Sequence, residues 1–374
     1  MIVTKPTGPL RGMRVVEFAG LGPAPFAAMM LSDMGADVVR IDRKGTGGSR
    51  PTDITSRGRT SVELDLKNSE DVEAARALIN ASDVLIEGFR PGVMERMGLG
   101  PEDPSITNPK LIYARMTGWG QNGPLSSSAG HDINYIALTG ALAAIGPADG
   151  KPVPPLNLVG DYGGGALYLV SGILAARVEV LQSGQGQVVD SAMCDGVISM
   201  LTLFHSLAAE GQWDDSRRGA NLLDGGAPFY RTYECKDGKY VSVGALEPQF
   251  YRLLCEKAGL TAPDFADQNN VGNWSSLHKQ AEAVFMTKTR AEWCELLEGT
   301  DACFAPVLTM EEARQHPHNI ARGSFIEIDG VSQAAPAPRF SRTPSRVQSP
   351  PPPQAADIAD VLARWRTPHE QLKS

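Results

Sequence analysis

Three residues of the 374-residue chain could move protons: His131 in "SSAGHDINYIALTGALAAIG", Asp161 in "VGDYGGG" and Glu247 in "GALEPQFY". An imidazole and two carboxylates are the usual groups of general acid–base catalysis. Histidine as a residue type titrates near neutrality unaided. An aspartate is ionised at pH 7 and becomes a useful acid only when partly desolvated. Around Asp161 two effects oppose each other. Apolar pocket walls would favour the protonated form, whereas a helix N-terminus just beyond it would favour the charged one. Each residue also has a plain structural reading: a neighbour of a helix cap for His131, a turn or cap for Asp161, an ordinary helix start for Glu247-Pro248.

A second set of residues points to an anion. Arg43, Lys44, Lys67, Arg90, Arg96 and Arg115 recur where strands should end. "RPGV" after Phe89 can open a helix whose free N–H groups, beside Arg90, suit a phosphate. Any one arginine reads as surface charge. Together at the carboxyl edge of one sheet they suggest a ligand with several phosphates, since that edge is where α/β sheets bind ligands. "VVEFAGLGPAPFAAMMLSDMGADVVRIDR" also invites a dinucleotide reading, with Gly20-x-Gly22 and Asp42 about 20 residues on. Pro25 stands where a glycine is needed, however, and Arg40 and Arg43 flank the acid. A tight β-α turn is the stronger reading.

The elements that must position these groups alternate between strands and helices. "MRVVEFA" is a nearly uninterrupted apolar strand, "FAAMMLSDMG" a helix closed by glycine, and "ADVVRID" a second strand. "NSEDVEAARALINAS" is a capped amphipathic helix, followed by strands in "DVLIEGF" and "KLIYARMTG". Two glycine-rich helices begin near Asp132 and after "VGDYGGG", and "SGQGQVVDSAM" is a turn and strand. This alternation predicts a doubly wound parallel sheet. After about Gly219 the pattern changes to a hairpin in "PFYRTYECKDGKYVSVGAL" and helical segments, a separate α+β region. The expected domains are 1–200 (large, α/β), 201–227 (linker), 228–325 (small, α+β) and 326–374 (a return linker and C-terminal segment). The proline-rich "QAAPAPRFSRTPSRVQSPPPPQ" is expected to be extended, wrapping or disordered.

Composition is that of a soluble globule, 42% hydrophobic and 21% charged. A net charge of −8 argues against a general nucleic-acid or anionic-membrane binder. The five scattered cysteines have no metal or disulfide spacing and fit a reducing cytoplasm. No stretch is expected to span a bilayer, no signal segment opens the sequence, and "QLKS" is not a peroxisomal ending. His316 and His318 in "RQHPHN" read as a surface loop rather than a metal site.

"GHDINY", "PLNLVGDYGGG", "SGQGQVVD", "NLLDGGAPFY" and "GALEPQFY", in this order, resemble the family III CoA-transferase superfamily, and within it the racemase branch. The resemblance implies a large α/β domain completed by the C-terminal segment, a smaller α+β domain, and two subunits interlocked as a homodimer. Active sites would lie between subunits. It implies a 2-methylacyl thioester of CoA as substrate, inverted at its α-carbon with no cofactor and no metal. His131 and Asp161 would be the acid–base pair, and Glu247 would orient His131, from the partner subunit if domains cross. CoA contacts map onto Arg43, onto Leu64, Asp65, Leu66 and Lys67, onto Arg90 and Arg96, and onto Gly130, Asp132, Ile133, Asn134 and Tyr135. N–H groups at the helix start near Asp132 would receive the enolate oxygen, with "GGG" after Asp161 as the other candidate. The competing readings are CoA transfer with Asp161 as nucleophile, and an acyl-CoA-binding protein without turnover. A dehydrogenase ranks behind both.

Overall fold

The structure is a computed structural model that describes residues 7–366. The chain divides into two compact units: Met1–Thr139 with Leu156–Met200 and Arg322–Ser374, and Gly140–Pro155 with Leu201–Ala321.

The first unit is built on six parallel strands: β1 (Arg14–Phe18), β2 (Asp37–Arg43), β3 (Arg59–Leu64), β4 (Val84–Glu87), β5 (Ile112–Thr117) and β6 (Val188–Ala192), in the order β3-β2-β1-β4-β5-β6. Successive residues point to opposite faces, and both faces are covered. Val15, Val38, Val84 and Ile86 pack under the helices Pro23–Asp33 and Tyr168–Ser183. Val16, Val39, Val62 and Leu85 pack under the helix Ser69–Asn80 and, from the C-terminal segment, Val361 and Trp365. Two buried faces explain why the strands read as continuous apolar runs.

β3 is the exception. Its sequence, RTSVEL, gives no apolar run, and the reading above places no strand there. Arg59 is fully buried and held by Glu17 of β1 at 3.0 Å, so an ion pair stands where hydrophobic contact would normally be. The C-terminal segment lies against this edge. Ala356 donates its N–H to Ser61 O at 2.7 Å, and Ser49 donates to Pro352 O at 2.6 Å. Trp365, itself buried, donates Nε1–H to Asp37 at 2.7 Å. A short hairpin of β10 (Phe325–Ile328) and β11 (Val331–Ala334), turned by Asp329-Gly330, belongs to the same unit.

The second unit carries an antiparallel sheet of β7 (Tyr230–Glu234), β8 (Tyr240–Gly244) and β9 (Phe304–Pro306). Phe229, Tyr233, Val241 and Val243 meet Tyr251, Trp274, Phe285 and Trp293 from its helices. Gly140–Pro155, inside the stretch assigned to the large domain by sequence, groups with this unit, and the expected linker begins with the helix Thr202–Ala209.

One helix bears on the expectation that no stretch spans a bilayer. The joined helix Leu158–Ser183 is long and apolar enough to cross a membrane by length and composition. Leu169, Val170, Ile173, Ala176 and Val180 of this helix are buried against the sheet.

Candidate active site

Because every strand of the large sheet is parallel, the turns after β1, β4 and β5 all open at the same edge. The turn after β5 leads to His131, which sits just before the helix Asp132–Leu138. The His131 N–H donates to Asn134 Oδ1 at 3.0 Å, and Asn134 donates back to His131 O at 2.8 Å. This fixes the backbone while the histidine side chain is exposed. Two glycines make the entry possible: a Cβ at Gly118 or Gly130 would lie 2.0 or 2.7 Å from the Tyr135 ring. The Tyr135 hydroxyl donates to Gly130 O, closing the loop upon itself.

Asp132, next in sequence, is buried at 8% exposure and points inward. Its Oδ2 accepts the backbone N–H of Asp161 at 2.7 Å. The residue after the histidine therefore holds the second acid. Gly160 permits this approach, since a Cβ there would stand 2.4 Å from Asp132 Oδ2. Asp161 lies in a wide π-helical turn, Leu158–Leu167, before the chain tightens into the α-helix Tyr168–Ser183. Such turns recur at functional sites. Here glycine supplies the room: a Cβ at Gly164 would lie 2.6 Å from Val197, and one at Gly165 would lie 3.1 Å from Pro23.

The Asp161 carboxyl is half-buried. Asn157 Nδ2 donates to its Oδ2 at 3.2 Å, and Gly22, at φ 71°, faces the same oxygen. Its pKa is raised above the usual carboxylate value. Burial is the main cause and Asp132 adds to it, while the Asn157 hydrogen bond and the nearby His131 pull the other way. Desolvation thus outweighs the helix start. Beside Gly22, Leu21 is 90% exposed, an apolar side chain offered to solvent on the turn that faces the acid.

Arg43 at the end of β2, and Lys67, Arg90 and Arg96 beyond β3 and β4, are exposed, without ion-pair partners among the described residues. Leu64 is buried in the core and Leu66 partly so. Asp65 Oδ1 accepts the Lys67 N–H at 3.1 Å, which shapes that turn. Ile133 is 43% exposed at the helix start. Arg115 does not belong to this basic edge: Glu87 at 2.8 Å and Glu95 at 2.9 Å hold it. Asp42 is unavailable to a ribose, because Arg40 at 3.0 Å and Ser61 at 2.5 Å occupy it. That removes the residue on which the dinucleotide reading depended.

Glu247 belongs to the second unit. It is exposed and precedes the helix Pro248–Ala258, with Cys303 near enough for its charge to help raise that thiol's pKa. Gly22, Asn157 and Leu21 were not picked out as acid-site residues by the sequence reading. The one available signal was the Gly20–Pro25 turn, read there as a tight β-α turn in preference to a dinucleotide loop.

The chain matches the family described as CoA-transferase family III over residues 10–357. It is 49% identical to the alpha-methylacyl-CoA racemase of Mus musculus over 90% of this chain and 87% of that protein. With the Homo sapiens racemase it shares 46% over the same proportions. The human succinyl-CoA:glutarate CoA-transferase is 28% identical over 92% of this chain and 83% of its own length. Among solved structures, a CAIB/BAIF family protein from Brucella suis superposes with a TM-score of 0.81 at 25% identity, covering 96% of this chain and all 100% of that one. A parallel sheet with its acids at the carboxyl edge, and a family match that spans nearly the whole chain, lead to one conclusion: the chain belongs to the CoA-transferase family III.

Proposed function

We propose that this protein is a racemase of 2-methylacyl-CoA thioesters, with His131 and Asp161 as its acid–base pair. The observation that carries this reading is the 2.7 Å hydrogen bond from the Asp161 N–H to Asp132, which ties the second acid to the residue adjoining the first. The near-half identity with proteins named alpha-methylacyl-CoA racemase supports the reaction class. One base removes the α-proton as the C–H electron pair enters the thioester carbonyl. The other returns a proton to the opposite face as that pair collapses back. The raised pKa of Asp161 suits a carboxyl that must spend half of each cycle protonated. We assign the enolate oxygen to the N–H groups at the start of the Asp132–Leu138 helix, where preorganised donors are typically worth about 3 kcal/mol each. Proton removal and return balance without a metal or redox cofactor. Arg43, Lys67, Arg90 and Arg96 are the assigned CoA contacts, and Leu21 and Ile133 offer apolar surface to the acyl group.

Glu247 is the residue proposed to orient His131, supplied by a partner subunit in a homodimer. Exposed apolar side chains along the helix through Asp161, namely Leu167, Tyr168, Val178 and Leu181, support burial of that face by a second copy.

A second reading draws on the family's transferases: Asp161 would attack the thioester as a nucleophile and pass CoA to a free acid. One assay separates the two. The protein is incubated with (2R)-2-methylacyl-CoA in D2O without added acid. Deuterium entering the α-position as optical purity falls is the racemase result. Turnover only with an acid acceptor would replace it by the transferase, and binding without exchange would leave a carrier.

A further inference from the structure

We propose that the second unit contains a binding site for a small organic carboxylate, built on the Nε–Nη2 edge of Arg231. A cavity of about 1330 Å³ lies within this unit, lined by Arg231, His278 and Lys279 and by the apolar Val243, Trp274 and Phe304. Arg231 stands in β7 with its guanidinium 5.7 Å from the Tyr233 ring centroid. Nη1 lies 2.6 Å from His278 Nδ1. Arginine has only donors, so Nδ1 accepts and the ring proton resides on Nε2. That nitrogen is 3.0 Å from Glu282 Oε1, an ion contact rather than an aligned hydrogen bond. Burial first, then the Arg231 charge, holds the His278 pKa below its usual value against Glu282, which raises it, with Lys279 adding to the lowering. A neutral ring is the result, and it fixes one end of the guanidinium.

The other end is left over. Nε is buried without a partner, and Nη2 has none among the described residues. No carboxylate among them pairs with half-buried Arg231, whereas the fully buried arginines each have one: Arg57 has Asp33, Arg59 has Glu17 and Arg115 has Glu87. Of the acids that line the cavity, Asp224 is already engaged by the N–H groups of Asn221 and Gly226. Glu282, on the far side of His278, offsets the Arg231 charge in part, but no carboxylate hydrogen-bonds the Nε–Nη2 edge of this half-buried cation, and a bound anion would complete it. The Nε–Nη2 edge is the fork that grips a planar carboxylate through two parallel hydrogen bonds. Val243, Trp274 and Phe304 then suit a carbon body rather than an inorganic anion. This site concerns the second unit alone and stands whether or not the racemase reading does.

Full-length protein is titrated calorimetrically with sodium benzoate, and separately with sodium phosphate, at fixed ionic strength. Benzoate should bind saturably and more tightly than phosphate. Arg231→Lys keeps the charge but loses the fork, and should weaken benzoate by at least about 10-fold. His278→Leu frees the guanidinium and should weaken it in the same sense, which provides the reading if the first variant does not fold. No saturable benzoate binding by the unmodified protein, phosphate binding more tightly, or unchanged affinity in a folded Arg231→Lys or His278→Leu protein would overturn the proposal.

Discussion

Asp161 keeps its carboxyl group where the proton is favoured, and that has a stability consequence opposite to its proposed use. The folded state raises its pKa, chiefly through burial. The unfolded chain therefore gives up this proton more readily. At pH above the folded value the ionised group penalises the folded state, and below about pH 4, where both states are protonated, the penalty is gone. Asp161→Asn removes the ionisable group and keeps the shape. Its Tm should exceed that of the unmodified protein by about 1–3 °C at pH 7, with the gain shrinking to nothing as pH falls below about 4, while racemisation is lost. An unchanged or lowered Tm at pH 7 would count against desolvation as the dominant influence on this residue. The sequence made Asp161 and His131 visible through their residue types and neighbours. It could not give the sign of the shift, because that depends on Asn157, Asp132 and Gly22 converging from three separate segments.

At the scale of elements, a short helix and a π-helical turn are joined by one side chain. The Asp132 carboxylate, fixed at the start of the Asp132–Leu138 helix, accepts the first-turn N–H of Leu158–Leu167. Its loss would free Asp161 to drift relative to His131, and a misplacement of about 1 Å can cost on the order of 100-fold in rate. Asp132→Ala should lower kcat by roughly that factor, while Asp132→Asn, whose amide oxygen can still accept the N–H, should recover much of the loss. Equal loss in both variants would instead assign Asp132 a role that needs its charge. The parallel sheet was legible because strands buried on both faces are apolar throughout. β3 was not, because the Arg59–Glu17 pair replaces apolar contact and a sequence cannot show that a buried arginine has its acid two strands away across β2. The π turn was invisible for a related reason: "GDYGGG" reads as a turn, and only the close approaches of Gly160, Gly164 and Gly165 turn it into a helix.

For the whole molecule, His131 and Asp161, the proposed acid–base pair, lie in one unit and Glu247 in the other. If the site is shared between subunits, a large domain lacking its base can be complemented by a partner. Co-expression of His131→Ala with Glu247→Ala chains would give mixed dimers with one dead site and one intact site. With random pairing, about a quarter of the full activity should return although each variant alone is inactive. Failure to recover any activity from purified mixed dimers would place Glu247 with the His131 of its own chain. The second unit's hairpin was legible from "KDGK", whereas its claim on Gly140–Pro155 was not, since contacts distant in sequence decide that membership.

The central claim is that two bases face opposite sides of one acidic carbon, and deuterium exchange by single-base variants tests it most directly. Each enantiomer of a 2-methylacyl-CoA is incubated in D2O with His131→Ala or Asp161→Ala protein, and both label and configuration are read. Each variant should exchange the α-proton of one enantiomer only, the opposite one in the two proteins, and neither should invert it. Inversion surviving in either protein, or the same enantiomer exchanging in both, would contradict the two-base account.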